Sequence, residues 1–102
     1  MDATCAYRRF RKVLVRLPCV YVLRGASGKR YVGITNDLPR RLREHASRNT
    51  KAGQMLGDFA LIYSEEYPGY TAARHREKFL KSGQGRKWLD ELESRTRTAT
   101  DP

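Results

Sequence analysis

The chain has 102 residues and carries 21 Lys and Arg against 11 Asp and Glu, a formal charge of +10, so it has room for one domain with a modest core and not for two. The positive excess lies in two blocks, 24–51 and 71–89, on either side of an acidic stretch at 52–70. Folding that joins the blocks would make one face for a polyanion, the alternative being a charged surface that only keeps the chain soluble, and neither block has the long, bulky apolar face of a membrane-surface helix.

Residues 1–18 read as a basic N-terminal extension, with Arg8, Arg9, Arg11 and Arg16 ahead of Pro18. Cys5 and Cys19 have neither the spacing of a metal knuckle nor the number needed for a disulfide framework, which fits a reducing cytoplasm. The longest apolar run, Leu17 to Leu23, spans seven residues and contains a proline, so no secretory signal or membrane span is expected. A β-hairpin follows. Cys19-Val20-Tyr21-Val22-Leu23 and Arg30-Tyr31-Val32-Gly33-Ile34 are β-branched and aromatic, with Gly25-Ala26-Ser27-Gly28 as turn chemistry between them. Tyr21 and Tyr31 then lie on adjacent antiparallel strands, close enough to act together. Taken singly, each is better explained as a half-buried strand tyrosine.

The next element is a helix with Asn36 or Asp37 as N-cap, Pro39 in the first turn, and an apolar stripe of Leu38, Leu42 and Ala46. At about 100° per residue, Arg41 and His45 fall within roughly 60° of Leu38, at the edge of the packed face, while Arg40, Arg43 and Glu44 point to water. An arginine there offers a planar fork of donors to a phosphate, and a histidine one turn on can exchange protons near neutrality. The bland readings are a snorkelling arginine and a hydrogen-bonded boundary histidine.

Residues 49–58 are expected to be a loop, and Phe59-Ala60-Leu61-Ile62-Tyr63 a central strand, with a turn at Tyr67-Pro68-Gly69. A second helix is expected from about Thr71, its cap, to Ser82, with Gly83 as its stop and Ala72, Ala73, Phe79 and Leu80 as its apolar stripe. Glu77 falls beside Leu80, next to a face built from Arg74, Lys78 and Lys81, and is the one acid between Glu66 and Asp90. It suits either a divalent cation, whose other positions go to water and phosphate oxygens, or a helical ion pair with Lys81. Trp88, Leu89 and Leu92 mark a terminal amphipathic helix whose indole plugs the core, and 94–102 read as a polar tail.

These residues together resemble a known family. Cys19-Val20-Tyr21, Tyr31-Val32-Gly33, Arg41 with His45, and Glu77 look like the successive motifs of the GIY-YIG nuclease superfamily. Tyr31 to Leu38 with Arg40, Leu42 and His45, and Arg76 to Gly83 with Gly85, Arg86, Trp88 and Leu89, are similar more narrowly to its small stand-alone bacterial (URI-type) members. The resemblance covers roughly 19–92 and implies a nuclease domain at 19–93. It implies an α/β (α+β) fold, a three-stranded antiparallel sheet flanked by helices. It also implies a DNA endonuclease that hydrolyses phosphodiester bonds with one Mg2+ or Mn2+ ion. Such an enzyme would be structure-selective or weakly sequence-specific, would act on branched or single-stranded DNA in repair or recombination, and would sit with the nucleoid as a monomer or weak dimer. Carried over by position, Glu77 matches the metal ligand and Arg41 the arginine that steadies the scissile phosphate. Tyr21 and Tyr31 match the tyrosines that position or deprotonate the attacking water, with His45 a rival for the proton. Arg30, Arg40, Arg43 and Lys51, with Arg74, Lys78, Lys81, Arg86 and Lys87, are the expected contacts to the DNA backbone. A catalytically silent nucleic-acid-binding module of the same fold is the alternative.

Three departures from the superfamily pattern stand out. Cys19 replaces the first glycine, and Ile34 replaces the lysine that repair-type members carry after the second motif. No asparagine follows Asn49, whereas repair-type and homing-type members have one about a dozen residues beyond the glutamate; Gln84, Arg86 and Lys87 are the candidate substitutes.

Overall fold

A computed structural model describes the backbone of residues 16–100 and the side chains of residues 16–95. Arg8, Arg9 and Arg11 of the basic extension lie outside the described residues. The elements run β1 (Cys19–Gly25), β2 (Arg30–Thr35), α1 (Leu38–Ala46), α2 (Lys51–Leu56), β3 (Phe59–Glu66), α3 (Tyr70–Lys81) and α4 (Gly83–Thr100). The three strands form one antiparallel sheet in the order β2-β1-β3, so the fold is a small mixed α/β domain.

The central strand is β1, and the expectation that Phe59–Tyr63 would be central is corrected. β3 pairs only with β1 and is an edge, with Ala60, Leu61 and Ser64 to Glu66 exposed. The physical reason is visible in β1 itself. A strand covered on both faces reads as an unbroken apolar run, and Cys19 to Leu23 are all buried. The hairpin turn closes with Gly25 N–H donating to the Lys29 carbonyl at 2.8 Å, and Gly28 takes φ +95°, which suits glycine.

Side-chain alternation along β1 splits the core between the two sheet faces. Val20 and Val22, with Val32 of β2, pack under Ala73 and Leu80 of α3 and Leu89 of α4. Tyr21 and Leu23 point the other way, into a cluster with Leu56, Tyr31, Leu38, Leu42 and Phe59. Helices α1 and α2 therefore cover one face, and α3 and α4 the other.

Several local expectations also change. Residues 51–56 are helical: Thr50 accepts from Gly53 N–H as N-cap, and Gly57, at φ +64°, ends the element. The cap of α3 is Gly69, and Thr71 lies within the helix. Gly83 opens α4, and the break between the helices is the single residue Ser82. Trp88 is half-buried at the edge of the core, where its ring meets Tyr63 edge-on at 5.3 Å and carries the Arg76 guanidinium at 4.8 Å. The backbone of α4 continues as helix through Thr100. No described helix is long and apolar enough to cross a membrane.

Candidate functional site

The site grows from the register of the hairpin. Tyr21 pairs with Gly33 and Leu23 with Tyr31, so the two tyrosines are diagonal neighbours on one face, their ring centroids 6.1 Å apart. Gly33 is the residue that lets them meet. A Cβ there would stand 2.7 Å from the Tyr21 hydroxyl and 2.9 Å from Tyr31 Cε2.

Helix α1 delivers the next two groups. Asp37 caps it by accepting from Arg40 N–H, and its own N–H donates to Thr35 Oγ1 at 3.1 Å, which fixes how the chain leaves β2. His45 is fully buried and does not sit at the rim of the packed face as its spacing implied, while Ala46, assigned to the stripe, is exposed. Its ring lies 5.3 Å from that of Tyr31, in an edge contact, and 6.3 Å from that of Phe59. Both ring nitrogens are engaged: Nε2 is 2.9 Å from the Tyr21 hydroxyl and Nδ1 is 2.8 Å from Thr50 Oγ1.

Arg41 lies at the open side of this group, with 35% of its side chain exposed, and bonds Glu44 Oε1 at 2.9 Å. Burial pushes the Tyr21 hydroxyl up to about 12, against the pull of the Arg41 guanidinium. Burial, then the same guanidinium, hold His45 below its ordinary value, so its neutral form is favoured. The arrangement can bind an anion at Arg41 beside Tyr31 while a neutral histidine holds the Tyr21 hydroxyl behind it.

The family model described as the GIY-YIG catalytic domain matches residues 17–89, a span containing Tyr21, Tyr31, Arg41, His45 and Glu77. The chain belongs to the GIY-YIG family. A UPF0213 protein of Streptococcus sanguinis is 32% identical over 81 residues, 78% of this chain and 93% of that protein. A UPF0213 protein of Klebsiella pneumoniae is 38% identical over 63 residues, 61% of this chain and 59% of that one. A third, from the Autographa californica nuclear polyhedrosis virus, is 39% identical over 59 residues, 55% and 57% of the two chains. The chain thus spans less than two thirds of the length of these last two relatives. A solution NMR structure of a UPF0213 protein from Bacillus halodurans is similar at 31% identity and a TM-score of 0.47, covering 74% of this chain and 83% of that one.

Within this GIY-YIG domain the structure gathers Tyr21, Tyr31, Arg41 and His45 on one sheet face. Glu77 is on α3, whose buried Ala73 and Leu80 pack the opposite face. It shares their stripe, being four residues from Ala73 and three from Leu80. Its side chain is 19% exposed, and its carboxylate accepts from Lys81 Nζ at 2.9 Å. Among the expected DNA contacts, Arg30 is tied to Glu93 at 2.9 Å and to Asp90, and Arg86 donates to the Lys81 carbonyl. Arg43, Lys51, Arg74, Lys78 and Lys87 are exposed with no ion pair among the described residues. Sequence reasoning missed Thr50 and Phe59 as members of the site. Thr50 falls in the stretch expected to be a loop, and nothing local in the sequence links it to His45.

Proposed function

We propose that this domain is a DNA endonuclease that hydrolyses phosphodiester bonds with the help of a divalent metal, Mg2+ or Mn2+. The observation that carries the reading is the buried Tyr21–His45 hydrogen bond flanked by half-exposed Tyr31 and Arg41. Hydrolysis builds negative charge on the non-bridging phosphate oxygens, and a guanidinium held in a partly dry site offsets that charge with directed donors. Arg41 has this role. Tyr31, which water can reach, places the attacking water. Tyr21 is sealed from solvent, with its hydroxyl pushed up to about 12, so it acts as a held donor and acceptor in preference to a free base. His45 acts through Tyr21, because both its nitrogens are already bonded.

The metal implied by the family fits this donor set in one respect. Among the described residues no three His, Cys, Asp or Glu side chains gather as a cluster. Magnesium does not need one, since it is commonly held by one or two carboxylates with water and phosphate oxygens around the rest. Glu77 is the carboxylate that would hold it, on the strength of the family motif, and the bound ion would supply positive charge to the phosphate. The exposed cations of α1, α2, α3 and α4 would grip the backbone on either side.

A silent DNA-binding module draws support from the Lys81 partner of Glu77 and from the full burial of Tyr21. A cleavage panel of flaps, forks and single strands, with Mg2+ or Mn2+, separates the two. Wild type should cut at least one substrate, and Glu77→Ala should cut at least roughly a hundredfold more slowly while binding DNA as well or better without metal. If wild type cuts none of them, the binding module replaces the nuclease.

A further inference from the structure

Lys81 touches two parts of the site at once. Its Nζ donates to Glu77 Oε2 at 2.9 Å, and among the described residues it is the one hydrogen-bond partner of that carboxylate. The same residue lines a groove of about 600 Å³ beside β2, whose walls include Tyr31, Val32 and Arg86. The groove therefore runs from half-exposed Tyr31 to the last turn of α3. The backbone at Lys81 is held in place. Arg86 Nη1 donates to its carbonyl at 3.2 Å, and Gly85 brings the first turn of α4 so close that a Cβ there would stand 1.9 Å from the Phe79 carbonyl oxygen. The side chain has more freedom. It is 55% exposed, and an ion pair four residues apart on a helix surface is weak enough for either partner to be drawn away.

An ammonium and a divalent ion at one carboxylate repel each other, so Lys81 must withdraw for Glu77 to take the metal role assigned to it above. Its flexible stem can then carry the charge into the groove, where an anion complements it. Asp90, the acid in the groove wall, is already tied to Arg30, which leaves Lys81 and Arg86 as the cations facing a ligand there. We propose that Lys81 serves in turn as counter-ion of Glu77 and as ligand of a DNA phosphate in the groove, moving from the first to the second when Glu77 binds a divalent cation. Metal and DNA then bind more tightly together than singly, because releasing Lys81 from Glu77 favours both. The exchange rests on the metal role of Glu77 in the nuclease reading.

Two binding measurements on the full chain test the exchange without any cleavage. In the first, Mn2+ is titrated in the absence of DNA and the free ion is followed by electron paramagnetic resonance. Lys81→Met should tighten Mn2+ binding by about threefold or more, since it removes both the competitor and a nearby positive charge. Lys78→Met removes the same charge from an exposed side chain with no ion pair among the described residues, and should change binding by less than about twofold. In the second, a fluorescently labelled DNA strand is bound in metal-free buffer. Glu77→Ala frees Lys81 and should tighten binding by about twofold or more; adding Lys81→Met should cancel that gain, and adding Lys78→Met should not. Equal effects of the two lysine variants on Mn2+, or none from either, overturn the counter-ion role. A Glu77→Ala gain that survives Lys81→Met overturns the move to phosphate. The expected binding results in a protein that cuts no substrate support the role of Lys81 and reject the nuclease reading, whereas Glu77-dependent cleavage with Mn2+ binding indifferent to Lys81 does the reverse.

Discussion

Three arginines lie within four positions of α1, and their surroundings divide them. Arg40 approaches Asp37 and Glu44 only at 3.9 Å, and Arg43 points to water. Arg41 is half-buried beside Tyr21, and its charge is felt by both Tyr21 and His45. A guanidinium that also compensates transition-state charge is worth far more than one that only attracts DNA, because the first acts in a drier, preorganised site. Arg41→Ala should therefore lower the cleavage rate by about 10²–10³, with Arg40→Ala and Arg43→Ala costing a few-fold and mainly at higher salt. Single-turnover rates of the three variants decide it, and equal losses would reduce α1 to a source of charge. Tyr21 shows the same dependence on surroundings. The sequence offered it as half-buried, and complete burial makes it a member of the core as well as of the site.

At the scale of elements, the site depends on how closely α2 sits on α1. Gly53 is the contact: a Cβ there would fall 2.2 Å from the His45 carbonyl oxygen, which is backbone and cannot swing aside. Helix propensity alone would reward Gly53→Ala by about 1 kcal/mol. The clash should outweigh that gain, since overpacking costs about 1–3 kcal/mol and here forces a whole helix to move. The variant should melt below wild type and lose the Thr50–His45 bond along with cleavage; a Tm equal to or above wild type would mean that the two helices slide freely. This packing also explains why α1 turned relative to its expected stripe. With α2 seated against the last turn, His45 and not Ala46 points into the core, alongside Leu38 and Leu42. The edge position of β3 follows likewise from pairing, since β1 is the strand both others join.

Across the whole molecule, formal charge overstates the free positive surface. Arg24 and Arg30 both reach Glu93 of α4, at 3.1 and 2.9 Å, and so pin the last helix to the hairpin; Arg48 pairs with Asp58. The buried His45 couples the stability of the fold to pH. Its folded pKa is lowered, so below about pH 6.5 the unfolded chain binds a proton that the folded chain resists, and stability falls as pH drops through that value toward the folded pKa. Thermal melts at about pH 7.5 and about pH 5.5 should show this loss in wild type. His45→Asn should be less stable at the higher pH but lose less on acidification; an unchanged pH slope would place the linkage in other groups.

Local chemistry determined much of this protein. The alternation and turn residues of the hairpin, the cap of α1 with Leu38 and Leu42 of its stripe, and the motif positions from Tyr21 to Glu77 were legible in the chain, because each depends on neighbours a few residues away. They sufficed for the hairpin, for the family and for the list of candidate residues, and the three-stranded sheet followed from the family resemblance those motifs carry. Tertiary structure alone decided which of those residues meet. Whether Phe59–Glu66 is an edge or a centre depends on a pairing partner some forty residues away, and whether His45 is a rim or a core group depends on a six-residue helix closing over it. The Tyr21–His45–Thr50 chain joins β1, the end of α1 and the cap of α2. No periodicity records such a contact, since it arises only when separately specified elements pack and buried polar atoms must find partners among whatever lies beside them.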